Sequence, residues 1–385
     1  MNSRDAYIIL NLLPDIGPIR MQVLLNAYHG DPCEALSAPV EELARLPRIG
    51  PHCAEVINGW RRFCSAEREL RLAEQAGVYL VTIADDSYPV ALREIHDPPI
   101  CLYLRGDLTA LKRCRNAIAM VGSRITTHYA LGMAASLAAD AAHAGWTVVS
   151  GLARGIDTAA HNATLSAGGC TIAVLGSGFN FIYPPENLEL ANRIAASGGA
   201  LVSEFPLNVR PDKRNFPMRN RIISGMSRGT IVVQAGLNSG SLITAAQALE
   251  QGRTVFAVPG NADTPYFKGC HALIRDGARL VEGFADVLDE FSLLPSFDDR
   301  RIQREVSATE SRPVVVELSA VEYRIWEQVG DGPVFIDDLL RKLEDLPPSI
   351  VLGTLLTLEI KQLLRQIPGK QVEKNPLRSA RKAPE

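Results

Sequence analysis

The residues best placed to do chemistry lie in 203–227, SEFPLNVRPDKRNFPMRNRIISGMS. Arg210, Lys213, Arg214, Arg219 and Arg221 stand there against Asp212 and Glu204, with Phe216 in their midst. Cations around one aromatic ring suit a polyanion that carries flat bases: the cations track phosphates and the ring stacks a base. A solvated charged loop has the same composition, so the elements that hold the run decide between the two.

Short apolar runs at 117–121, 147–150, 171–175, 200–202, 230–233 and 254–258 alternate with helical patterns of ten or more residues. This is the pattern of an α/β protein with a doubly wound, mostly parallel sheet covered on both faces. Runs at 78–83 and 101–105 extend the sheet. Ligands of such sheets bind outside the carboxyl ends of the strands, near the reversal of strand order. The loops expected there carry Gly122-Ser123-Arg124, then Gly151, Arg154 and Asp157, then Gly176-Ser177-Gly178 continuing to Tyr183 and Asn187. The basic run itself follows, then Ser239-Gly240-Ser241 and Pro259-Gly260-Asn261. Small residues let backbone amides approach an anion and arginines add bidentate charge, so the loops together predict one phosphate-binding rim.

Other chemistries fit less well. The dinucleotide fingerprint lacks its third glycine after Leu175, where Phe181 stands, and no G-x-x-x-x-G-K-[ST] occurs. His128, His161 and His271 are far apart, without metal-ligand spacing. His161 reads as a core or capping histidine, Asp157 as the N-cap of the helix that runs to Ala167, and Glu204 as a carboxylate able to orient Arg219 or Arg221. Neither acid has an evident nucleophile partner. No catalytic residue, metal or cofactor is expected.

A chain of 385 residues predicts two or three domains, and its net charge of -3 means that any polyanion site comes from local clustering. Seven scattered cysteines read as free thiols, and no uncharged stretch reaches membrane-span length, so a cytoplasmic protein is expected. Residues 1–75 are helical in pattern, with a near-repeat of Leu13-Pro14-Asp15-Ile16-Gly17-Pro18 at Leu46-Pro47-Arg48-Ile49-Gly50-Pro51. The repeat suggests paired helical hairpins, which serve DNA phosphates or plain helix packing equally well. Residues 76–290 form the main domain, 291–317 a polar linker, 318–370 a winged-helix-like module and 371–385 a basic, disordered tail.

Read in order, the blocks Met120-Val121-Gly122-Ser123-Arg124, Ala153-Arg154-Gly155-Ile156-Asp157, Phe216-Pro217-Met218-Arg219-Asn220-Arg221-Ile222-Ile223 and Ser239-Gly240-Ser241-Leu242-Ile243-Thr244-Ala245 resemble those of the DNA processing protein A (DprA, or Smf) family. The resemblance implies a Rossmann-like domain that binds single-stranded DNA without sequence preference, protects incoming DNA, dimerises and helps load the RecA recombinase in natural transformation or homologous recombination. It further implies a sterile-alpha-motif-like or hairpin N-terminus, a winged-helix C-terminus, and single-stranded-DNA-binding protein as another partner. By motif, Arg124, Lys213 and Phe216 contact DNA, with Arg214 as a neighbour. Gly122, Ser123, Gly151, Arg154, Gly176, Ser177, Gly178, Ser239, Gly240 and Ser241 complete the expected binding set. Arg219, Asn220 and Arg221 either belong to it or brace the loop. Two departures stand out: Gln234 where the family usually has an acid, and Ala130 where glycine is common. The alternative is a nucleotide-cleaving, phosphoribohydrolase-like enzyme on a similar sheet, although the corresponding loop 235–241 supplies no evident catalytic acid.

Overall fold

The computed structural model describes residues 1–292, 314–330, 334–343, 345–361, 363–367, 371–374 and 378–382. The chain divides into two compact units, Met1–Phe297 and Asp298–Glu385. Residues 293–313, most of the expected linker, lie outside the described residues.

In the first unit, strands β1 (Tyr79–Thr82), β2 (Cys101–Gly106), β3 (Ala117–Gly122), β4 (Thr147–Ser150), β5 (Thr171–Val174), β6 (Ala200–Ser203), β7 (Gly229–Gln234), β8 (Thr254–Ala257) and β9 (Arg279–Leu280) form one sheet. Its order is β1-β2-β6-β5-β4-β3-β7-β8-β9. The run from β6 to β9 is parallel, and β2 joins β6 antiparallel, as β1 joins β2. All residues of β4, β5, β6 and β7 are buried, because helices cover both faces and a parallel strand needs apolar side chains on each. The chain winds from β3 outward to β6 and then returns to β7 on the other side of β3. Strand order therefore reverses at β3 and β7.

The N-terminal helices α1 (Ser3–Leu12), α2 (Pro18–Ala27), α3 (Pro32–Ser37), α4 (Val40–Arg45), α5 (Gly50–Asn58) and α6 (Ala66–Gln75) share an apolar core with one face of the sheet. Ile8, Leu10, Leu24 and Ile57 pack in the same cluster as Tyr103, Ala173 and Leu201. The two repeated turns are alike in backbone, with Asp15 and Arg48 at φ 63° and 66°. Arg20 joins them, donating from Nε to Arg48 O at 2.9 Å and from Nη1 to Asp15 O at 2.5 Å. Asn11 donates to Glu204 O at 3.2 Å, which ties α1 to the end of β6.

After the short helices α7 (Val90–Arg93) and α8 (Ala110–Arg113), the connections carry α9 (His128–His143), α10 (Ile156–Ser166), α11 (Leu188–Ala196), α12 (Asn215–Gly225), α13 (Ser241–Glu250), α14 (Lys268–Arg275) and α15 (Phe284–Ser292). The strand ends at Gly122, Ser150, Val174, Ser203 and Gln234 fall on one edge of the sheet, so the loops expected to form a rim do share an edge.

The second unit packs helices Ala320–Gln328, Ile336–Lys342 and Pro348–Ile360 around Ile325, Leu339, Leu355 and Leu358. A three-stranded sheet, Val334–Phe335, Gln371–Lys374 and Leu364–Ile367 in spatial order, completes a winged-helix arrangement. The disordered tail expected from residue 371 is corrected here: Gln371–Lys374 is the central strand of that sheet, and Arg378–Lys382 pairs in parallel with Val314–Leu318. That second pairing also places the last residues of the expected linker in a strand. In the tetrapeptide QVEK Val372 is buried and Lys374 Nζ lies 4.1 Å from the centre of the Trp326 ring, too short a pattern to show a strand period.

Candidate nucleic-acid interface

A cleft of about 630 Å³ opens at the strand-order reversal, where doubly wound sheets take their ligands. Its walls come from five connections, of which three supply most of the lining. The turn after β3 brings Gly122, Ser123 and Arg124; the turn after β7 brings Ser239, Gly240 and Ser241 at the start of α13; the segment before α12 brings Lys213; and α12 brings Phe216, Arg219 and Asn220. Arg124 and Lys213 are exposed, and Phe216 is half-buried. The Arg124 guanidinium lies 5.7 Å and that of Arg219 5.9 Å from the centre of the Phe216 ring, and the Tyr183 ring, tilted by 50°, lies 5.7 Å from it. A narrow slot beyond Phe216 is lined by Arg124, Gly151, Arg154 and Tyr183. Arg154 is exposed and pairs with Glu186.

The basic run thus splits by role. Arg219 is 4% exposed, and its Nη1 donates to Gly151 O at 2.6 Å and also to Val174 O, so it clamps α12 onto the ends of β4 and β5. Burial pulls its guanidinium down to about 10, with Asp157 opposing and Arg124 adding to the fall; it still carries its charge at neutral pH. Arg221 turns away from the cleft. It is also 4% exposed, with Nη2 on Glu204 Oε2 at 2.6 Å and Nε on Asp97 Oδ2 at 2.9 Å. Arg221, expected in the DNA-binding set, is therefore a buried brace: its fork is committed to two carboxylates. Of the two arginines that Glu204 was expected to orient, it meets Arg221 and not Arg219. Burial raises the Glu204 carboxyl, against the lowering effect of Arg221. Arg214 lies in solvent and pairs with Asp212 at 2.9 Å.

The Gly176-Ser177-Gly178 turn does not line the cleft. It is buried beneath it, where a Cβ on Gly176 would meet the Phe216 ring at 2.7 Å and one on Gly178 would meet Pro206 O at 2.1 Å. Ser177 Oγ donates to Phe181 O at 2.6 Å. Gly176 thus leaves the room that the Phe216 ring occupies.

The expectation for Asp157 is also corrected. The N-cap of α10 is Gly155, at φ 79°, and Asp157 sits inside the first turn. Its Oδ2 accepts from the Gly151 and Ala153 amides at 3.1 and 3.2 Å. The acid thereby supplies the anion that this helix start attracts, and those two amides are unavailable to a phosphate. His161 is a core residue, as expected: it is fully buried, with Nδ1 2.7 Å from Thr171 Oγ1.

Gln234 and Tyr183 do work that the sequence left unassigned. Gln234 is buried; its Oε1 accepts from the Thr127 amide at 2.9 Å and the Thr127 hydroxyl at 3.0 Å, and its Nε2 donates to Ile125 O at 2.9 Å. An acid at this position could accept the two Thr127 bonds but could not donate to Ile125, so the amide fixes the turn that carries Arg124 with one bond more. Ala130 is buried at the start of α9, where its amide donates to the capping Thr127 hydroxyl at 3.2 Å. Tyr183 lies within the Tyr183-Pro184 motif, but only the fold brings its ring against Phe216.

Comparison with known proteins identifies the family. A family profile described as DNA recombination-mediator protein A matches residues 79–292, and one described as DprA winged helix domain matches residues 309–370. The chain is 42% identical over 269 residues to the DNA processing protein DprA of Bacillus subtilis, covering 70% of this chain and 89% of that one. It is 33% identical to the protein Smf of Synechocystis over 97% of this chain and 99% of that one. Among solved structures, DNA processing protein A from Streptococcus pneumoniae superposes with a TM-score of 0.64 and 34% identity, covering 74% of this chain and 97% of that chain.

Proposed function

The chain belongs to the DNA recombination-mediator protein A family, and from that premise we propose that it binds single-stranded DNA across the cleft between β3 and β7. The observation that carries this reading is the half-buried Phe216 ring, set in a cleft whose exposed cations are Arg124 and Lys213. A ring offers a face to any base, whereas sequence readout needs donors and acceptors aimed at base edges, so binding is tolerant of sequence. Phosphates lie against Arg124, Lys213 and the start of α13, while Arg219 and Arg221 hold the platform from beneath.

The protein is a binding protein rather than an enzyme. The carboxylate in the cleft lining supports this, because Asp157 Oδ2 is spent on two backbone amides. In the same reading the chain acts as a homodimer and passes its strand to the RecA recombinase during transformation or recombination, a part supported by the family resemblance alone. No helix among the described residues is long and apolar enough to cross a membrane.

Fluorescence anisotropy of a labelled dT oligonucleotide over a KCl series tests the binding. Log affinity should fall with log salt by roughly 0.7 per phosphate held. An affinity indifferent to salt and to the paired Arg124→Ala and Lys213→Ala changes would overturn the proposal. Co-sedimentation with RecA on single-stranded DNA tests the partner.

A further inference from the structure

The cleft offers groups of the kinds a nucleotide uses, a ring for a base and cations for a phosphate. Phe216 and Tyr183 both line it, together with Arg124, Lys213 and Arg219. Helix α13 starts at this wall with Gly240 as its N-cap, its first amide donating to Ser239 Oγ at 3.4 Å and the next two to the Ser239 and Gly240 carbonyls at 3.1 and 3.2 Å, so the phosphate-binding charge of the cleft rests on its arginines and lysine. Arg219 reaches the cleft from below, and its buried Nε has no hydrogen-bond partner among the described residues. A volume of about 630 Å³ falls within the roughly 300–1,000 Å³ typical of small-ligand sites. Asp157, the one carboxylate in the lining, has its Oδ2 on two amides and the Arg219 charge nearby.

We propose that this cleft also takes free nucleoside monophosphates, one at a time, in competition with single-stranded DNA. The inference rests on the cleft assigned to DNA above and adds a small-molecule ligand to it. The terminal phosphate of a mononucleotide, like other phosphate monoesters, carries about -1.5 to -2 charges near pH 7, against -1 for a phosphodiester, so each phosphate gains more from Arg124 and Lys213. Nucleotides released when DNA is degraded would therefore lower the protein's occupancy on the strand.

The test is displacement of a labelled dT oligonucleotide from the full chain by dTMP, thymidine or inorganic phosphate, at constant ionic strength, with parallel calorimetric titration of dTMP into the free protein. The expected result is half-displacement by dTMP at or below about 1 mM, with thymidine and phosphate ineffective at the same concentration. Phe216→Leu should raise the dTMP concentration required at least roughly fivefold by removing the stacking face. Lys213→Ala, at an exposed position that folding does not depend on, should raise it as well. If dTMP leaves the oligonucleotide bound, or if phosphate displaces it equally well, the inference is overturned and the DNA reading stands. If the oligonucleotide does not bind at all, the DNA reading fails and calorimetry decides the inference by itself: saturable heat with dTMP supports it and its absence overturns it.

Discussion

Arg219 Nη1 donates to the carbonyl of Gly151, 68 positions earlier in the chain, at 2.6 Å. A Cβ on Gly151 would lie 2.4 Å from that same nitrogen, so the close approach requires glycine there. Removing the guanidinium leaves the Gly151 and Val174 carbonyls buried without that donor. Arg219→Ala should lower the unfolding free energy by about 2–4 kcal/mol, read as a shift of the urea midpoint. An unchanged midpoint together with lost DNA affinity would make Arg219 a contact rather than a clamp.

Arg124 and Lys213 should behave in the opposite way. Both are exposed, so their alanine variants should melt like the parent protein while each lowers the salt slope of oligonucleotide binding by roughly 0.7. The anisotropy series over KCl, set beside thermal melts, separates the two classes: a variant that changes stability and leaves the slope alone is a brace.

Arg221 belongs with the braces. Arg221→Met strands the Glu204 carboxylate, which is 8% exposed, and should cost about 3–5 kcal/mol. Changing Glu204→Gln in the same chain removes the stranded charge and should recover part of that loss. Urea titration of the two variants checks this, and a double variant no more stable than the single one would show that the pair does not act as a unit.

His161 gives the fold a dependence on acid. Thr171 Oγ1 donates to Val148 O at 2.7 Å, so it accepts from Nδ1–H of His161, which leaves Nε2 unprotonated and buried without a hydrogen-bond partner among the described residues. Burial, and then Arg219, depresses this imidazole from 6.5 to about 3. Between those values the unfolded chain binds a proton that the folded chain does not, so stability falls as pH drops from about 6.5 toward 3, by about 1.4 kcal/mol per unit from this residue. Urea midpoints at pH 7.5 and 5.0 should draw together in His161→Asn. A gap equal to that of the parent would assign the acid sensitivity to other groups.

The sheet was legible because its strands are buried on both faces and so read as plain apolar runs, and the rim was legible because glycine, serine and arginine gather after those runs. The direction of each arginine was not. Arg219 and Arg221 are two positions apart on one helix, and their separate fates depend on Gly151 in one case and on Asp97 and Glu204 in the other, partners from distant segments that no local spacing reveals. Asp157 was misplaced for a related reason. Gly155 takes the cap position through its positive φ, which leaves the acid to reach back over its own loop. Strand β9 has two residues, too few to show any period.

The place of Gly176 in this arrangement gives a sharper test of the stacking platform than any change at Phe216 itself. A methyl group at Gly176 would sit 2.7 Å from the edge of the Phe216 ring, closer than carbon atoms approach, and the ring is the part able to yield. Gly176→Ala should therefore turn Phe216 out of its place between Arg124 and Tyr183 without removing any cation. If a base stacks on that ring, oligonucleotide affinity should fall by a share of the roughly 1–3 kcal/mol that one base–aromatic contact supplies, while the salt slope stays at its parent value. Anisotropy over the same KCl series measures both quantities. A loss of affinity with a reduced slope would mean that the methyl disturbs the cations, and no loss at all would show that Phe216 fills the cleft without stacking on DNA.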